Sequence, residues 1–330
     1  NPPEHNKSVR EFDIVTLDRV KKIVVEPDYD VWKEYAYKAQ IHGAITTYLE
    51  IKKNDFYRIE TTVDGVEFVT ARGWEDLSEI LKAYEELGVE ITENLIGEYL
   101  CRDEIARSFF ASYQLYRKYG EDYGLKRLLS GKMAEEEQQK KVKMAEGASF
   151  EERFLVTGLL LSGLNGSFLD YEKLDKETGA VYQELLHLKA FLHDKKDMTA
   201  LDEFTDVKKK SLAVRLEAEL LNLEQQTTEE FVIRTLEEFS LTIRKEHITD
   251  TETGFERIRQ LFTEMVEKRK DCAKKISREL ERAFAFMKAC FGDGQETVLF
   301  VTGLTRNSHV AAFIREYGCD PYFACSEKLL

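Results

Sequence analysis

The amino-acid sequence predicts a mainly α-helical protein, with one small β-hairpin in its first quarter and a long-helix bundle toward its C-terminal end. Three observations carry this reading. The chain has only four prolines, Pro2, Pro3, Pro27 and Pro321, so the strongest helix breaker is missing from almost the whole length. The Pro-free stretch is rich in Glu, Lys, Leu and Ala, which are good helix formers. One pair of β-rich runs flanks an Asp-Gly, Asp64-Gly65, the usual mark of a tight hairpin.

The elements follow in order. Residues 22–25, Lys-Ile-Val-Val, form a short β-branched run closed by Glu26-Pro27-Asp28, a strand followed by a turn. Asp28 or Asp30 is placed to cap a helix through Trp32, Tyr35, Ala36 and Ala39 toward His42. A second helix is expected over 44–52. The β-rich runs 56–62 and 66–69 make the hairpin. From Trp74 the apolar period becomes helical, with Leu77, Ile80, Leu81, Tyr84 and Leu87 on one face and Gly88 closing the helix. Another helix starts after Thr92. Asp103 starts a third, through Ile105, Phe109, Tyr113 and Tyr116, ending at Gly120.

Residues 133–147 are almost wholly polar and read as a solvated helix or a linker, with a domain boundary there. Beyond it, helices are expected over 150–164, 171–193, 207–225, 228–246 and 254–291. The last has bundle-like spacing without a strict heptad. Val298-Leu299-Phe300-Val301 reads as one more strand before short terminal helices. The sequence contains no internal repeat. The expected divisions are 1–27, 28–130 and 131–330.

Composition narrows the function classes. With 330 residues the chain is long enough for two or three domains. Its net charge of −14 argues against a binder of phosphate backbones, which works through Lys and Arg, though a local basic groove stays open. The longest apolar run, 154–164, is broken by Thr157, Gly158, Ser162 and Gly163, and is far short of the ~20 residues of a membrane-spanning helix. Five scattered cysteines, with no CxxC pair, suit reduced thiols in a cytoplasmic protein. Isolated histidines and cysteines offer no metal-ligand spacing. The chain opens on Asn1-Pro2-Pro3 without an initiator Met or a targeting segment, and is expected to begin inside a longer protein.

Several motifs then fall in a telling order. Asn1-Pro2-Pro3 is followed by Glu11-Phe12-Asp13, by Thr16-Leu17-Asp18-Arg19-Val20, and by the run ending Glu26-Pro27-Asp28-Tyr29. About 40 residues later comes Thr70-Ala71-Arg72-Gly73-Trp74-Glu75-Asp76-Leu77-Ser78. Together these resemble the end of the core and the helical lid of a MoxR-type AAA+ ATPase, well over about residues 1–130 and less closely over the remainder. Such proteins have an Asn-Pro after the sensor 1 strand, then an Asp-Arg pair, then a sensor 2 Arg at the start of a lid helix. Where the family more often has Pro before that Arg, this chain has Ala71.

The resemblance implies a partial AAA+ α/β core edge over 1–27, a helical lid over 28–130 and a helical C-terminal region. It implies Arg19 as a finger acting in trans, Arg72 as the sensor 2 residue acting in cis on the γ-phosphate, and Asn1 as the sensor 1 side chain that orients the attacking water. It also implies ATP and Mg²⁺ as cofactors, a homo-oligomeric ring, typically a hexamer, a protein substrate remodelled in a chaperone-like role, and a von Willebrand factor A domain partner. The chemistry suits arginine, whose planar guanidinium binds phosphate oxygens bidentately and stays charged. Phosphoryl transfer is catalysed mainly by positioning and electrostatics.

Read singly, each motif has a plainer meaning: a surface Arg, a local Asp-Arg ion pair, an ordinary Asn-Pro turn. Arg10, Arg58 and Arg107 are weaker candidates, and Trp74 suits a core better than a base-stacking platform. The phosphate loop G-x-x-x-x-G-K-[ST] is absent, as is an apolar strand ending in Asp-Glu, so this stretch alone is not expected to hydrolyse ATP. Two rival readings are a non-catalytic helical adaptor and a nucleic-acid motor.

Overall fold

The computed structural model describes residues 18, 19, 21, 23, 25–62 and 65–327. It is 79% helical, with one two-stranded sheet among the described residues, which makes the chain mainly α with a small hairpin.

The first helices form where local signals place them. α1 (Tyr29–Lys38) is capped by Asp28, whose carboxylate accepts from the N–H groups of Asp30 and Val31 at 2.8 and 3.1 Å. α2 (Gly43–Ile51) is capped by His42, whose Nδ1 accepts from the Ala44 N–H at 3.2 Å. A 3₁₀ turn (Lys53–Asp55) leads into β1 (Arg58–Thr62), which pairs antiparallel with β2 (Gly65–Val69) in the register Arg58 to Val69 and Ile59 to Phe68. The turn residues 63–64 lie outside the described residues. α3 (Ala71–Leu87) starts on a Thr70 cap and ends at Gly88, whose φ of 68° is the left-handed value that favours glycine. α4 (Glu93–Tyr99) and α5 (Asp103–Tyr123) follow.

Several expectations need correction. α5 does not stop at Gly120 but runs on to Tyr123, whose ring continues the buried stripe into a second core, and Gly124 closes it. Residues 135–146 are a helix, α7 (Glu135–Glu146), after the short α6 (Leu125–Ser130). Val142 and Ala145 of α7 pack on the core, so this stretch is not a linker. The helices expected over 150–164 and 171–193 are one 43-residue helix, α8 (Phe150–Leu192). Asn165, Gly166 and Ser167 are poor helix formers, but buried Leu164, Phe168 and Tyr171 carry the apolar stripe through them, and burial outweighs propensity.

α9 (Ala200–Glu217) and α10 (Leu223–Lys245) both start earlier than expected. Asn222 and Gln225 form a reciprocal capping box that starts α10 inside the stretch read as continuous helix. α11 (Thr251–Phe291) spans 41 residues. The run 298–301 is not a strand: it lies within α12 (Gln295–Arg306), where Phe300, Val301 and Leu304 are buried at helical spacing. α13 (Ser308–Tyr317) and α14 (Asp320–Ser326) complete the described chain. Of the expected strand at 22–25, Lys22 and Val24 lie outside the described residues. Ile23 and Val25 are exposed and belong to no strand.

Three cores are strung along the fold. The first gathers α1 to α5 and the hairpin around Tyr48, Trp74 and Phe109. The second joins the end of α5, α6, α7, the first half of α8, the second half of α11, and α12 and α13. The third joins the second half of α8 with α9, α10 and the start of α11. α8 touches all three in turn, with Leu155 in the first, Val156 to Tyr171 in the second, and Val181 to Leu192 in the third.

Candidate functional site

The start of α3 is held rigid while one side chain there stays free. β2 ends on buried Val69, and the Phe68 N–H donates to the Cys101 carbonyl at 3.0 Å, which ties the hairpin to the α4–α5 connection. Thr70 Oγ1 accepts from the Gly73 N–H at 3.2 Å. Gly73 backs so closely onto the Tyr99 carbonyl that an added Cβ would sit 2.8 Å from its oxygen. Trp74 is fully buried, donates from Nε1 to the Phe56 carbonyl at 3.1 Å, and packs its ring 5.3 Å from Phe109 and 5.8 Å from Tyr48. It is a core residue.

Between these anchors Arg72 points outward. Its side chain is 88% exposed, and its ion-pair partner is Asp76, one turn on, at 3.6 Å. An exposed pair of this kind is worth only about 0.3–0.5 kcal/mol, so it yields readily to a stronger anion. Tyr35 of α1 donates to Glu75 of α3, so α1 braces the same helix start. Val31 and Tyr35, one helical turn apart on α1, are both exposed.

The other expected site residues are not gathered around Arg72. Asn1 and Arg10 lie outside the described residues. Arg19, with Asp18, is helical and exposed. Arg58 is exposed at the start of β1. Arg107 donates to the Asp103 carbonyl at 3.3 Å and faces Glu93 at 4.0 Å. All five cysteines are free, and no group of three or more His, Cys, Asp or Glu side chains converges as a metal site among the described residues.

Two polar groupings had gone unread in the sequence. Lys33 of α1 is almost fully buried against Glu50 of α2, which also accepts from the Tyr29 hydroxyl at 3.1 Å. Burial holds the Lys33 amine below the usual lysine range despite Glu50. The available signal was its position, because Tyr29, Trp32, Lys33 and Ala36 share one helix face. The second grouping is His42, whose Nε2 lies 3.2 Å from Glu85, which accepts from Tyr113 at 2.8 Å. Burial works against ionisation of Glu85, but His42 and Tyr113 together hold its carboxyl below the usual range. This trio lies beside a cleft of about 730 Å³ between the first core and α8.

Comparison with protein-family models, curated proteins and solved structures gives no match. The functional reading therefore stands on the residues themselves.

No helix among the described residues is long and apolar enough to cross a membrane.

Proposed function

We propose that this chain is the C-terminal portion of an ATP-hydrolysing ring protein of the MoxR-type AAA+ kind, in which Arg72 acts in cis and Arg19 in trans on one nucleotide. The observation that carries the reading is the setting of Arg72. A cation is fixed at the backbone by a capped, Trp-anchored helix start, yet its guanidinium is exposed and held by a single weak pair. That is what a phosphate sensor requires: a set position and a free charge.

Arg72 is the second residue of α3, a helix start of the kind the resemblance asks of a sensor 2 Arg. ATP and Mg²⁺ would be held mainly by a phosphate loop and a carboxylate pair in preceding sequence. Arg72 would neutralise charge on the terminal phosphate. The ring would remodel a protein target in a cytoplasmic, chaperone-like role, with a von Willebrand factor A domain protein as partner.

ATP turnover of the complete protein tests the reading. Arg72→Ala is expected to lower turnover at least about tenfold, since an arginine on the transferring phosphate contributes up to about 10³–10⁵ in rate. Folding should stay within about 0.5 kcal/mol of the parent, because the side chain is exposed. Unchanged turnover, or a complete protein without ATPase activity, overturns the proposal and leaves the helical adaptor.

A further inference from the structure

The second half of α8 carries two neighbouring seams. Val181, Leu185, Leu188 and Leu192 step by four, three and four residues and are buried in the third core. One position on, Tyr182, Leu186, Lys189 and His193 repeat that spacing, and all four are exposed. This is the spacing by which one helix packs along another. α11 shows it too, in Phe255, Arg259, Phe262 and Val266. The two helices run antiparallel in a fixed register, with Arg269 on Asp175 at 2.5 Å and the rings of Tyr182 and Phe262 stacked 6.1 Å apart. From there to the end of α8 and the start of α11 an open groove of about 1220 Å³ runs between them.

The groove is apolar at its base and carries opposite charges on its two walls. Tyr182 and Leu186 are 48% and 46% exposed, and Phe255 and Phe262 beside them are only partly covered. Lys189 stands in the last turn of α8 and Glu252 in the first turn of α11, the signs that the two helix ends favour. Arg259 is held by Glu256 at 2.8 Å, and His193 by Asp194 at 2.9 Å. Lys189 and Glu252 have no ion-pair partner among the described residues. The open charges are therefore one of each sign, one on each wall. Lys189 and Arg259 balance Glu252 and Glu256 in this lining, in a chain of net charge −14.

We infer that this groove closes on a second copy of the chain, about a two-fold axis running along it. A two-fold contact needs a surface complementary to itself. Rotation about that axis lays α8 of one copy against α11 of the other. Counting two turns from the Tyr182–Phe262 contact, Lys189 lies level with Phe255, so it meets the Glu252 end of the opposite wall, and the same pair forms twice. Leu186 and Tyr182 of each copy cover the half-exposed Phe255 and Phe262 of the other. Self-repulsion of an acidic chain opposes most other contacts between copies, whereas this lining is neutral. Dimerisation here is independent of the nucleotide, so it stands or falls apart from the motor reading.

Sedimentation velocity of this chain from about 5 to 200 µM is the test. The exposed seam covers about three turns, roughly 18 Å, so a weak, reversible dimer is expected, with a Kd on the order of tens of µM. Leu186→Glu should weaken it at least about tenfold by setting a carboxylate on the apolar strip. Lys189→Glu and Glu252→Lys should each weaken it about fivefold or more, since each puts like charges together twice. The chain carrying both reversals should return to within about twofold of the parent's Kd, because the pairs re-form with their signs exchanged. A misfolded chain could not give that rescue. A chain that stays monomeric at about 200 µM overturns the inference and leaves the groove to a helix of another protein. A dimer that Leu186→Glu leaves unchanged overturns it as well, because it forms on another face. So does a doubly reversed chain that associates no better than the single variants.

Discussion

At the scale of single residues, short polar side chains decide where the helices of the first core begin. Thr70, Asp28 and Thr92 cap the helices they precede, and Trp74 is the core residue its place in the apolar stripe implied. Lys33 was missed because residue type suggested a surface, whereas its position on the face of Tyr29, Trp32 and Ala36 put it inside. Four phenols, Tyr29, Tyr48, Tyr113 and Tyr116, are buried in the first core, with Tyr37 half-buried on α1, and they set a pH dependence. Burial raises Tyr29, Tyr37, Tyr48, Tyr113 and Tyr116, the last to about 12. Carboxylates add to this, Glu50 for Tyr29 and Tyr37, Asp55 for Tyr48, and Glu85 for Tyr113. In the unfolded chain these phenols lose protons near pH ~10. Folded-state values above the unfolded ones mean that the stabilisation is fully present below that pH and lost as pH rises through the folded values. Lys33, with a lowered value, acts in the opposite sense below its unfolded pKa, one group against the five named. Denaturant midpoints should therefore be nearly level from about pH 8 to 9.5 and fall steeply beyond about pH 10. A level midpoint to about pH 11.5 would mean these tyrosines titrate as exposed groups.

At the scale of elements, helix existence was readable and helix continuity was not. The hairpin and α3 follow from Asp64-Gly65 and a clean amphipathic period. The fusion of two expected helices into α8 depends on Leu164, Phe168 and Tyr171 packing into the second core, with Phe168 and Tyr171 against Phe313 of α13, a contact that no local window contains. The same holds for α12, whose short apolar run has strand-like composition but is buried on a helical period. Close approach decides the glycines of α8. A Cβ at Gly158 would overlap the Thr47 side chain of α2, whereas one at Gly179 would meet nothing within 4 Å. Alanine in place of a mid-helix glycine ordinarily stabilises by up to about 1 kcal/mol. Gly179→Ala should follow that rule. Gly158→Ala should reverse it, costing about 1–3 kcal/mol through overpacking. Urea unfolding of the two variants checks the contrast, and equal shifts of the same sign would refute the close packing of α2 on α8.

At the scale of the whole molecule, α8 is a spine, and the change from first to second core falls inside α5, between Tyr116 and Tyr123. The cores are set by which faces meet. The candidate site was legible only as Arg72 within its motif. Its rigid backing by Tyr99, Phe56 and Phe109 came from tertiary structure. The central claim is that Arg72 and Arg19 serve one nucleotide from adjacent subunits. The direct measurement is ATP turnover in rings assembled from equal amounts of Arg19→Ala and Arg72→Ala subunits of the complete protein. Each variant alone should be nearly inactive. In a head-to-tail ring, mixing them re-creates intact sites at about a quarter of the interfaces, and turnover should return to about that fraction of the parent's. Mixed rings as inactive as either variant alone would contradict the account.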